Sequence, residues 1–139
     1  MPQRRRALYL SVWSQVSLKR ILRALWVAAI AIVTVGSLLP GDSAPMQALS
    51  QLPVSDKVDH AIAYAILAWL PAIHERRKVI VGAALGALVM GVGLEYAQLY
   101  SGWRDFEVGD MVADAVGAGC GFFAALPMRS AAFFRKLQY

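Results

Sequence analysis

A chain of 139 residues that is 58% hydrophobic, with a formal charge of +5 and one cysteine, has room for a single domain. It is also more apolar than the roughly 45–50% of ordinary soluble domains. The basic balance does not read as nucleic-acid binding, because no motif that reads bases or phosphates accompanies the lysines and arginines. The lone Cys120 excludes an intramolecular disulfide and a two-cysteine metal site, and its place in an apolar run predicts core packing.

The first stretch, RRRALYLSVWSQVSLKR, mixes cations with Leu8, Tyr9, Val12, Trp13 and Val16. It suits an interfacial helix on anionic lipid, and equally a solvated basic tail. From Ile21 to Leu39 the apolar run is broken only by Arg23, and as a helix it reaches about 28 Å, close to the hydrocarbon thickness of a bilayer. That run is longer than a signal-peptide core of about 7–15 residues, and further spans follow, so it reads as an anchor. Val58–Ile73 opens with a polar turn and is short. Val79–Leu99 is fully long enough, with Glu95 and Gln98 only in its last turns. Val108–Met128 carries Asp110 and Asp114 near its start. The expected fold class is therefore all-α, a polytopic membrane bundle of four transmembrane helices over 21–128, preceded by a basic segment 1–20 and followed by a basic tail 129–139.

Charge predicts the orientation. With the N-terminus cytoplasmic, twelve of the fourteen basic residues fall on the cytoplasmic side and only Lys57 and Arg104 outside, so both termini are cytoplasmic by the positive-inside rule. Of the acids, Glu75 alone lies inside; the other eight lie on or near the outer side.

Alternating topology then brings the start of the second span, the end of the third and the start of the fourth to one interface. Helical spacing puts Asp56, His60 and Tyr64 on one stripe, Glu95 near Gln98, and Asp110 above Asp114, with Lys57 and Arg104 as counter-charges. Charges facing lipid are costly, so these groups are expected to face the bundle interior and to form a ligand-binding set. Asp59, Asp105 and Glu107 read as solvated. Gly82 with Gly86, and Gly117 with Gly121, form small-xxx-small faces for close helix packing, the second on the face of Asp110 and Asp114.

The segments SDKVDHAIAYAILAWL and GLEYAQLYSGWRDFEVGDMVADAVGAGCG resemble the VanZ-like membrane proteins. The matching positions are Asp56, Lys57, His60, Tyr64, Glu95, Gln98, Arg104 and Asp110. Asp114 stands where that family usually has asparagine, and Ala61 where an aromatic is common. The resemblance implies a small multi-pass protein of the bacterial cytoplasmic membrane in a cell-envelope setting, and its founding member is associated with resistance to a glycopeptide antibiotic. Two function classes follow. In the first, the cavity binds a lipid-linked or amphipathic envelope molecule, with membrane lipids as further partners and no nucleic acid. In the second, it is a membrane-embedded hydrolase or transferase using Glu95, His60 and Asp110. A divalent metal among Glu95, Asp110, Asp114 and His60 is a variant of the second. No contiguous ligand motif is present, and neither metal nor cofactor is expected.

Overall fold

A computed structural model describes the backbone of residues 2–102 and 105–130 and the side chains of 16–102 and 105–129. Among the described residues the chain is all-α, with no sheet. Its helices are α1 (Pro2–Leu38), α2 (Ala44–Ser50), α3 (Asp56–His74), α4 (Arg77–Ser101) and α5 (Val108–Ser130). Three of them contain segments long and apolar enough to cross a membrane: Val16–Leu38, Arg77–Ser101 and Val108–Arg129. The expected fourth span forms as α3, but it falls outside that class. Asp56, Lys57, Asp59 and His60 fill its first turns, and His74 closes it.

The basic N-terminal stretch does not form a separate element, since its backbone runs without a break into the first span. Helix α2 was not anticipated. Ser43 is extended at its N-cap and Pro45 occupies the first turn, where a missing N–H costs nothing. Gln47 Nε2 then donates to the Asp42 carbonyl at 2.9 Å, tying the short helix to the preceding turn.

Helix α3 is the most buried element, with Tyr64, Leu67, Ala68, Leu70, Ala72 and Ile73 in the core. It runs parallel to α5, against which Gly117 and Gly121 leave no room for a side chain. A Cβ at either would come within 2.7 Å of the Ala61 Cα or 2.8 Å of the Ala65 Cα. Such close backbone approach is how helices associate in lipid, where no hydrophobic driving force separates helix from solvent. Gly82 and Gly86 do the opposite of what their spacing predicts. Both are exposed with nothing near them, and they line an open apolar groove of about 500 Å³ with Trp26, Leu67 and Met90.

Helix α1 lies antiparallel to α3. Pro71 has no N–H to give the Leu67 carbonyl, and Trp26 Nε1 donates to that carbonyl instead, at 3.0 Å. At the C-terminal end of α3, Arg129 of α5 donates to the Ala72 carbonyl and, at 3.2 Å, to that of Glu75, so orphaned helix-end acceptors are satisfied by the neighbouring helix. Glu75 is itself buried. Burial opposes its charge, but the hydrogen bond from Arg23 and the charges of Lys19 and Arg23 outweigh that and hold its carboxyl below the ordinary glutamate value. One acid therefore ties α1 to the end of α3.

The outer faces are apolar. Val89 of α4, Ile32 of α1 and Phe123 of α5 are 73%, 71% and 68% exposed, amid many other exposed aliphatic side chains. Surfaces of this extent mark contact with lipid or with another protein. Cys120, expected in the core, lies on such a face beside Ile62, Ile66 and Trp69. Glycines at 117 and 121 take the inward stripe of α5, and residue 120 is turned away from it.

Candidate functional site

The polar end of the bundle is built from the starts of α3 and α5 and the end of α4. Gly102 closes α4 in the left-handed conformation (φ 76°), its N–H bonded to the Gln98 carbonyl at 3.3 Å, and so turns the chain back toward α5. Glu95, 1% exposed, fixes the returning loop by accepting the Glu107 N–H at 2.9 Å. Its neighbour Gln98 turns the other way, and Nε2 donates to the Ser37 carbonyl of α1 at 2.9 Å. The pair expected to act together thus joins α4 to two different partners.

Lys57 reaches across from α3 to the start of α5, bonding Glu107 Oε2 at 2.5 Å and Asp110 Oδ1 at 3.1 Å. Gly109 makes this possible, because a Cβ there would sit 2.8 Å from Lys57 Cε. One turn further in, His60 Nδ1 lies 2.9 Å from Asp114 Oδ1, while Nε2 lies 3.7 Å from Asp110 Oδ2. Tyr64 follows on the same stripe. Its hydroxyl and Asp114 Oδ2 both occupy the space that a side chain at position 91 would fill, which is why Gly91 stands there. Asp110 and Asp114 are 5% and 2% exposed, so both acids point into the bundle as expected.

Of the nine residues expected to form the binding set, the structure joins Lys57, His60, Tyr64, Asp110 and Asp114 through contacts between α3, α4 and α5, and places Asp56 beside His60 and Asp110. Glu95 and Gln98 lie at the same end but act as ties between elements. Arg104 lies outside the described residues. Glu107, expected to be solvated, is exposed and in addition pairs with Lys57. An acid in a loop carries no periodicity, and only the turn at Gly102 shows which cation it meets.

A crevice of about 220 Å³ opens beside this cluster, between α1, α2 and α3. Ile32, Val33, Met46 and Ala63 make its apolar walls, and Asp56, Asp59 and His60 its polar end. Asp59, too, is therefore more than a solvated first-turn acid.

Comparison with protein-family models, with curated proteins and with solved structures finds no match in any of the three.

Proposed function

We propose that the chain is a multi-pass protein of the bacterial cytoplasmic membrane whose crevice binds a lipid-linked or amphipathic envelope molecule, with α3 as a fourth span and both termini cytoplasmic. The observation that carries this reading is the crevice itself, in which apolar walls from α1 and α3 run without a break into two carboxylates and an imidazole. That sequence of surfaces suits an acyl chain followed by a polar head. A spanning α3 is supported by its 19 residues, about 28 Å of helix, and by Ile62 and Ile66 exposed along one face while His60 and Tyr64 turn inward.

The VanZ-like motif residues supply the envelope setting, and a contribution to glycopeptide-type resistance belongs to the same proposal. The acid–base alternative requires Glu95 to face the ligand. Its carboxylate is instead engaged with the Glu107 N–H, and the crevice is lined without it, which favours binding over catalysis.

Gly36 lines the crevice with nothing near it, so a larger side chain can enter without disturbing the helices. Native mass spectrometry of the protein extracted from bacterial membranes should show a co-purifying amphiphile, and Gly36→Phe should lose it while keeping its helix content. An identical bound species in Gly36→Phe would overturn the assignment of this crevice.

A further inference from the structure

The crevice has a feature that an amphiphile does not explain. We propose that Asp56, His60 and Asp110 form a binding site for one divalent transition-metal cation of the zinc class. One ligand atom from each lies within 4.8 Å of the other two. Asp56 and His60 stand one turn apart on α3, and Asp110 is brought to them by the close parallel packing of α5. Tetrahedral ligands at about 2.0–2.1 Å from zinc stand about 3.4 Å apart. His60 Nε2 and Asp110 Oδ2 are already 3.7 Å apart, so most of the closure falls to Asp56, an exposed side chain in the first turn of its helix.

The imidazole is also held in the right form. Asp114 Oδ1 sits 2.9 Å from Nδ1 and, as an acceptor, keeps the ring proton on that nitrogen. With an ion bound, the Nε2 lone pair is then the one directed toward the two remaining aspartates. A carboxylate behind a ligating histidine is the usual outer-shell support of a metal site, fixing both tautomer and ring plane. Asp114 is suited to that role because it is buried on a helix that cannot shift against α3 without a clash at Gly117.

The donor set argues for the class of ion. One imidazole nitrogen with two carboxylate oxygens suits zinc and its first-row neighbours better than magnesium or calcium, which take oxygen alone. Lys57 bonds Asp110 Oδ1 but is shared with Glu107, so the aspartates around His60 keep a net negative charge. A dication on Asp110 Oδ2 offsets much of it without displacing Lys57. Asp56 and His60 also line the crevice, so the site has a path of entry. This inference stands apart from the amphiphile reading, since an ion can bind whether or not a lipid does.

The test uses the full chain in detergent, stripped with a chelator and titrated with zinc chloride by calorimetry and with cobalt(II) by visible absorption. One equivalent should bind, with a cobalt spectrum of low-coordinate nitrogen–oxygen type. Asp56→Asn and His60→Gln should each weaken binding by about 100-fold or more, and Asp114→Ala by about 10–100-fold. Asp114→Asn, whose side-chain oxygen still accepts the Nδ1 proton, should recover most of that loss, and the exposed Asp105→Asn should bind as wild type. Absence of saturable binding, or wild-type affinity in Asp56→Asn, would overturn the proposal. Asp56 is exposed, so this variant carries the decision even if His60→Gln does not fold.

Discussion

Replacing Gly117 by alanine adds one methyl group at the tightest point of the bundle. The new Cβ would stand 2.7 Å from Ala61 Cα and closer still to the Ala61 carbonyl oxygen, whereas ordinary contact begins at 3.4 Å, so α3 and α5 must part by at least 0.7 Å. The obstacle is helical backbone, which cannot rotate away as a side chain could. The same displacement would stretch the 2.9 Å contact between His60 and Asp114 to about 3.6 Å, beyond a working hydrogen bond. Overpacking of this kind costs about 1–3 kcal/mol, and a lost buried hydrogen bond about 1 kcal/mol more. The expected loss is about 3 kcal/mol, or about two powers of ten in the folding equilibrium. Titration with a denaturing detergent in mixed micelles, followed by circular dichroism, measures it. Gly119→Ala is the internal control: it lies on the same helix with nothing near its Cβ, and it should be neutral or slightly stabilising through helix propensity. Equal stability of Gly117→Ala and Gly119→Ala would refute the packing argument and the parallel register of α3 and α5 with it.

Two other expectations follow from the opposite end and the outer face. The Glu75 carboxyl is held below its ordinary value near 4.5, so its contribution is complete above that pH and is lost as pH falls through the depressed folded value. Acid unfolding curves of wild type and Glu75→Gln should therefore converge as the pH drops below about 4, and a constant gap between them would show that Glu75 contributes nothing through its charge. Cys120 is exposed on an apolar face. A membrane-impermeant, hydrophilic maleimide should leave it unlabelled in intact membranes yet label it after denaturation, because a polar reagent does not enter the hydrocarbon that this face would meet. Rapid labelling in membranes would mean that this face meets water.

The contrast between the two glycine pairs shows what was legible in the sequence and what was not. Small-xxx-small spacing states that a backbone can come close, and it says nothing about which neighbour comes. Gly117 and Gly121 met Ala61 and Ala65 because the small residues of α3 fall in register with them, whereas Gly82 and Gly86 face the bulky Trp26 across an open groove. The stripes Asp56–His60–Tyr64 and Asp110–Asp114 were readable for the same reason that amphipathic helices are, since one turn of spacing sets one face. Glu107 and Glu75 were not readable. Each sits outside a periodic segment, and each finds its cation, Lys57 or Arg23, about fifty residues away in sequence. Nor could hydropathy settle α3, whose first-turn polar groups weigh against the apolar face it turns outward.

The two ends of the bundle are tied differently, and that difference bears on where a ligand can enter. At the Glu75 end, Arg23 of α1, the end of α3 and Arg129 of α5 converge on one acid and a few orphaned carbonyls, and Trp26 adds a further bond from α1 to α3. At the polar end, α3, α4 and α5 are bonded to one another through Lys57, His60 and Glu95, whereas α1 is joined there through Ser37 to Gln98 of α4. Between α1 and α3 at that end lies the crevice. Beside the crevice α1 is held through α4, so a ligand of the proposed kind would reach His60 between Ile32 and Ala63, the apolar walls that α1 and α3 turn toward each other.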